Sequence, residues 1–336
     1  MVKFTKRRTT TSCWERVITT GAVVGAVMLV ASSVGVFQAN NKDCSDFPLA
    51  VQKSENGNTK TSSTNDYSLA LQESFGFFDD VDAQRWARLK KRFQHTRPNM
   101  NKSRGIQYKQ HANHAEYFWM ENYDPEFSCE NELKLGKIAD GGKWVCDPHR
   151  ILAKKDESEC LVYSVGSRGD FTFEEDVLKH VSNKCDIHTF DRDAYAFNKN
   201  FTDLGIKAGV NFHHTSLGPP TEKVPNGKRF KDIIPDLKHQ GRTVDIMKID
   251  CEGCEWDQFG EWFADWKEHN LTVRMLLIEV HQSRLPETPD FFAKMLELGY
   301  VIYHKEANTL NPKCFEYAFL LLDTAFQKKQ EEKVSF

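Results

Sequence analysis

From residue 161 onward the chain alternates between two hydrophobic periodicities, and this alternation restricts its possible folds more than any other feature. Apolar runs of strand length occur at 161–165, 187–190, 209–214, 244–249, 273–280, 300–304 and 317–322. Runs with helical spacing lie between them at 173–181, 194–204, 230–240, 255–266 and 289–298. Strands separated by helices call for a mainly parallel sheet with helices on both faces. Only a turn-rich loop around 308–313 separates the last two strands, so they are expected to pair antiparallel. The expected fold is α/β with seven strands.

In an open α/β sheet, ligands bind at the carboxyl ends of the strands. The fourth strand here runs into Asp250-Cys251-Glu252-Gly253-Cys254-Glu255. Glu255 reads as a first-turn acid favoured by the helix dipole. Asp250 and Glu252 lack that explanation and could orient a hydroxyl or bind a divalent cation. No metal-ligand set is assigned, because no second cysteine pair accompanies Cys251 and Cys254 at zinc-site spacing.

The first strand leads into Gly166-Ser167-Arg168-Gly169, a turn that lets the backbone approach a ligand. Arg168 breaks the dinucleotide fingerprint, so an adenosine ligand without a pyrophosphate fits better. Asp191 ends the second strand, about 20 residues on, where an acid accepts from ribose hydroxyls. Asp193 reads as a helix N-cap. His213, His214, Thr215 and Ser216 end the third strand and could line an adenine pocket. His281 ends the fifth beside Glu279 and is the candidate general base for a hydroxyl.

The N-terminus differs in character. Val17 to Phe37 carries no charge, enough to span a hydrocarbon core of about 30 Å. Lys3, Lys6, Arg7, Arg8 and Arg16 precede it against one acid, Glu15, which places the tail in the cytosol and the remainder in a lumen or outside. A cleaved signal peptide with small residues at Ala31 and Ser33 is the alternative; the length of the apolar run favours an anchor. The expected layout is a cytosolic tail (1–16), an anchor (17–37), a flexible stem (38–74), a helical and irregular lead-in (75–150), the main domain (151–325) and a polar tail (326–336). The expected location is the secretory pathway, the Golgi foremost.

Of nine cysteines, only Cys13 falls on the cytosolic side of that anchor. The remaining eight permit disulfides. Cys129 with Cys146 is the preferred pair, since both sit in one loop-rich segment. Cys160 with Cys185 is a second, since each opens a strand and those strands should be neighbours. Glycosylation sequons at Asn101, Asn200 and Asn270 fit the same topology. A net charge of -3 gives no electrostatic case for nucleic acid.

The segments Val162-Tyr163-Ser164-Val165-Gly166, Thr189-Phe190-Asp191, Lys248-Ile249-Asp250-Cys251-Glu252-Gly253-Cys254-Glu255, Leu277-Ile278-Glu279-Val280-His281 and Gly299-Tyr300 with Glu316-Tyr317, in this order, resemble the FkbM-type methyltransferases. The resemblance is greatest to the membrane-anchored animal methyltransferase-like protein 24 family, and it runs from about residue 160 to 323. It implies a Rossmann-like class I methyltransferase sheet and S-adenosylmethionine (SAM) as cofactor. Gly166, Ser167, Gly169, Asp191, Ser216 and Asp250 become the candidate cofactor residues, and His281, Asp250 and Glu252 the candidate catalytic ones. It also implies methyl transfer to an oxygen, in many bacterial relatives a sugar hydroxyl. Two other readings stand beside it. One is a catalytically silent, membrane-tethered binding protein. The other is a type II glycosyltransferase using Asp191-Arg192-Asp193 as a D-x-D metal motif.

Overall fold

The structure, a computed structural model, describes residues 67–111, 115–138, 140–152, 160–196, 199–284 and 287–328. The expected cytosolic tail, anchor and most of the stem lie outside these residues. Among the described residues, no helix is long and apolar enough to cross a membrane.

Helices α1 (Ser68–Glu73), α2 (Ala83–His111) and α3 (Ala115–Glu121) come first, then a hairpin of β1 (Glu132–Leu135) and β2 (Lys143–Cys146), then α4 (Pro148–Leu152). The alternating part opens with β3 (Leu161–Val165), α5 (Thr172–His180) and β4 (Asp186–Asp191). A small pair, β5 (Tyr195–Ala196) and β6 (Lys199–Asn200), precedes α6 (Phe201–Ala208) and β7 (Asn211–His214). A second small pair, β8 (Ser216–Leu217) and β9 (Gly227–Lys228), precedes α7 (Phe230–Asp236) and β10 (Thr243–Ile249). Then come α8 (Cys254–Glu268), β11 (Thr272–Val280), α9 (Glu287–Glu297), β12 (Tyr300–Ala307), β13 (Phe315–Leu321) and α10 (Thr324–Gln327).

The central sheet has the seven expected strands, in the order β12-β13-β11-β10-β3-β4-β7. Strands β7, β4, β3, β10 and β11 run parallel, and β13 runs antiparallel to both β11 and β12. From β3 the chain steps outward through β4 to β7, then returns to lay β10 on the other side of β3. The order therefore reverses between β3 and β10, where a crevice opens at the carboxyl ends.

Both faces of the sheet are covered, so its strands are continuously apolar. On β11, Leu276, Ile278 and Val280 enter one core while Met275 and Leu277 enter the other. The lead-in completes both cores. Phe118, Trp119 and Tyr123 join Trp256, Phe292 and Tyr317 on one face, with Tyr123 stacked on Phe292 at 3.6 Å. Phe77, Phe78, Trp86, Phe93 and Phe127 join Phe326 on the other. Each buried ring contributes roughly 1.5–3 kcal/mol.

Three local expectations are corrected. Ser68–Glu73, assigned to the stem, forms α1 with Ala70 and Glu73 buried. The long helix of the expected lead-in (75–150) starts only at Ala83, because Phe75 and Gly76 adopt left-handed conformations and Asp82 Oδ1 accepts from Arg85 N at 2.7 Å. The helix expected from 194 starts at Phe201, where Asn200 is the N-cap and accepts from Thr202 N; Asp193 caps nothing there. The Asn200 and Asn270 sequons are both exposed.

Cys129–Cys146 and Cys160–Cys185 form the expected disulfides, and Cys251–Cys254 forms a third. The first two span 17 and 25 residues, each stabilising by about 3 kcal/mol on chain-entropy grounds. Cys314 is buried and outside any disulfide.

Candidate active site

The β3–β4 side of the crevice is organised by backbone donors. Gly166 follows β3 with φ +80°, and a Cβ there would meet Asp250 O at 1.8 Å. Two links hold this contact: Asp250 N donates to Val165 O at 3.0 Å, and Lys248 Nζ donates to Gly166 O at 2.7 Å. Asp191 Oδ2 accepts from Ser167 N at 2.9 Å, Arg168 N at 2.6 Å and Ser167 Oγ at 3.3 Å. Its Oδ1 accepts from Asp193 N at 3.0 Å. Gly169, with φ +72°, lies against the Phe201 ring. Thr215 N donates to Asp191 O at 2.8 Å, so Ser216 runs beside the same strand end.

The β10–β11–β13 side is built from buried charge. Lys143, only 1% exposed, reaches in from the β1–β2 hairpin. Its Nζ lies 2.7 Å from Glu316 Oε1 on β13 and 3.7 Å from Asp250 Oδ2 after β10. Burial would raise the Asp250 carboxyl, but Lys143, Lys248 and His281 outweigh it and hold it below the usual range. Glu279 behaves oppositely: burial, then the Asp250 and Glu316 carboxylates, push it up to about 9. Glu279 therefore keeps its proton at neutral pH and can donate it to Asp250. Asn308 Nδ2 donates to Glu279 Oε1 at 2.8 Å.

His281 is gripped by glutamates. Glu255 Oε1 accepts from His281 N at 2.8 Å and lies 3.0 Å from Nδ1, while Glu252 Oε2 lies 3.6 Å from Nε2. Burial opposes the charged ring, but Glu255, then Glu279 and Asp250, raise it to about 10. An imidazolium cannot take a proton, so the base role expected of His281 does not suit its surroundings. Glu279, His281 and Cys314 each bring one potential ligand atom within 4.8 Å of the others; with Glu279 and His281 both protonated, the trio does not suit a cation.

A family model for a methyltransferase domain matches residues 68–321. The chain belongs to that family. The match takes in the lead-in helices and hairpin as well as the alternating part. No curated protein matches the chain. Solved structures similar to part of it include an rRNA methylase from Streptococcus thermophilus, at 14% identity over 52% of this chain and 94% of that one, TM-score 0.33. Another is the Burkholderia thailandensis 1,6-didemethyltoxoflavin-N1-methyltransferase, solved with 1,6-didemethyltoxoflavin and S-adenosylhomocysteine, at 12% identity over 49% and 72%, TM-score 0.32.

The methyltransferase domain brings Gly166, Ser167, Gly169, Asp191, Ser216, Asp250, Glu252 and His281 to one sheet edge. It does not form the adenine wall expected of the histidines: His213 stacks on Phe190 and His188, and His214 Nε2 meets Arg192 O at 2.7 Å. Nor does Asp191-Arg192-Asp193 present two carboxylates to one ion, since Asp191 is turned into its own loop and the Asp193 side chain is 54% exposed. Sequence reasoning missed Lys143, Glu316, Lys248 and Glu255 as parts of the site. Lys248 and Glu255 stood inside the acidic block and offered a signal. Lys143 stood more than a hundred residues upstream and offered none.

A SAM-type cofactor fits the β3–β4 side. The Asp191 carboxylate, with about four acceptor positions, keeps one on Oδ1 for a ribose hydroxyl.

Proposed function

We propose that this protein is a SAM-dependent O-methyltransferase whose acceptor is a hydroxyl on a glycan, lipid or small molecule. The observation that carries this reading is the junction of the Gly166 loop with Asp250 at the reversal of strand order, within a methyltransferase-domain chain. The Lys248-x-Asp250-x-Glu252-Gly253 block favours the FkbM-type branch, and the membrane-anchored animal methyltransferase-like protein 24 family within it. Disulfides immediately before β3 and at the start of α8 favour an oxidising compartment. Together with the apolar segment 17–37, they support a type II orientation with the domain in the secretory lumen or outside.

When bound, SAM supplies a methyl group on a sulfonium centre. The Gly166–Gly169 backbone and Asp191 hold the nucleoside end, beside Ser216. Asp250 adjoins that loop through its backbone, and its carboxyl is held ionised. It accepts the hydrogen bond of the acceptor hydroxyl and takes its proton as the oxygen–methyl bond forms. Lys143 keeps Asp250 ionised. His281, charged, fixes Glu252 and Glu255 at the crevice wall rather than acting as base.

The experiment is transfer of labelled methyl from SAM to glycan, lipid and small hydroxyl acceptors. Asp250→Asn is expected to lose at least about 100-fold in turnover while still binding SAM. Equal turnover in Asp250→Asn and the wild type would remove Asp250 as base. One observation favours the silent alternative: Asp191 and His281 both spend their charge inside the protein. Saturable SAM binding with no transfer to any acceptor class would support it.

A further inference from the structure

The opposite edge of the sheet, at the amino-terminal ends of its strands, carries a second polar cluster that methyl transfer does not use. Asp186 opens β4 immediately after Cys185, whose disulfide to Cys160 fixes it against the start of β3. His188 lies two residues along β4. His239 follows α7 and reaches back from the loop before β10.

We propose that Asp186, His188 and His239 form a binding site for a zinc-type divalent cation. One ligand atom from each lies within 4.8 Å of the others. His188 Nε2 stands 3.1 Å from Asp186 Oδ1, and His239 Nε2 stands 3.9 Å from Asp186 Oδ2. Ligand atoms around tetrahedral zinc sit roughly 3.4 Å apart, so small side-chain rotations close the set.

A second observation points to a ligand. His188 is only 7% exposed, yet its Nε2 makes no hydrogen bond of acceptable geometry. Its other nitrogen, Nδ1, is engaged at 2.9 Å with His213 Nε2. With the proton on Nδ1, the Nε2 lone pair faces a carboxylate oxygen, and a cation between them would satisfy both. His239 repeats the pattern, with Nδ1 at 2.7 Å from Tyr163 Oη and Nε2 turned to Asp186. Metal-bound histidines characteristically engage the second ring nitrogen in this way. The Asp186 side chain is 29% exposed, which gives an ion an entry path and leaves a fourth position to water. Arg242 Nη1, 3.9 Å from Asp186 Oδ2, is the cation that an ion would have to share this carboxylate with.

The test is zinc binding by the full chain, stripped of metal and titrated against a chromophoric chelator. Cobalt(II) absorption reports the donor geometry. We expect one ion per chain, with binding lost in His239→Gln and Asp186→Asn and retained in His281→Asn. Tyr163→Phe removes only the hydroxyl behind His239 and is expected to weaken binding about 10-fold. It carries the test should His239→Gln fail to fold. The proposal is overturned if the folded wild type binds no zinc. It is equally overturned if Tyr163→Phe and His239→Gln bind as the wild type does, or if His281→Asn alone removes the ion.

Discussion

On the β3–β4 side of the crevice, backbone N–H groups and one carboxylate organise a loop; on the β10–β11–β13 side, three carboxyl groups surround one buried ammonium group. The first side is local: Asp191 and the loop it holds are 24 residues apart at most. The second is assembled at long range, with Lys143 and Glu316 separated by 173 residues. Changing one member of the local side removes individual hydrogen bonds. Changing one member of the buried charge cluster does more, because it strands the others in a medium that cannot solvate them.

The largest expected effect follows from that asymmetry. Lys143→Met leaves Asp250, Glu279 and Glu316 without their ammonium group and should cost about 3–5 kcal/mol in urea unfolding. The loss should be worse at pH 8 than at pH 5, where the carboxyls can take up protons. Unchanged stability would dissolve the contrast between the two sides. Next comes Gly166→Ala, which combines a left-handed φ with a clash against Asp250 O and should cost about 3 kcal/mol. Calorimetry on the variant should also show SAM binding abolished. Asp191→Asn follows, at about 1.5–3 kcal/mol, since a carboxamide replaces the charge that holds the loop donors. Hydrogen exchange should then rise at Ser167 and Arg168 but not around Lys143.

The smallest effect at mildly acidic pH, and the sharpest in sign, concerns Glu279. Its carboxyl titrates at about 9 in the folded chain and at about 4.3 unfolded. The folded state thus holds an extra proton between those values. Its stabilisation is complete below the unfolded value and drains away as pH rises toward 9. Glu279→Gln should match the wild type within about 1 kcal/mol at pH 5 and exceed it in thermal midpoint at pH 9. His281, raised to about 10, contributes in the same direction: its stabilisation is full below about 6.5 and is lost as pH rises through the folded value. A variant less stable than the wild type at pH 9 would mean that Glu279 is ionised in the folded chain.

The two sides also differ in how far the sequence reveals them. The strands, the closing antiparallel pair, the Gly166 turn and two disulfides were legible because each depends on neighbours in the chain or on strand order. Glu255 misled for the same reason. A first-turn acid has a sufficient local explanation, and only the fold shows it buried against His281. His281 misled differently, because a base is recognised by residue type and strand-end position, whereas its protonation is decided by Glu255, Glu279 and Asp250 together. Lys143 carried no signal, since nothing in a four-residue strand indicates which sheet edge its ammonium group will reach.

The central claim is that the Gly166–Asp191 side holds SAM. The most direct measurement is calorimetric titration of the folded chain with SAM and with S-adenosylhomocysteine, alongside Asp191→Ala checked for folding by circular dichroism. The expected result is saturable one-to-one binding of both ligands by the wild type and its loss in Asp191→Ala. A folded wild type that binds neither ligand would contradict the account.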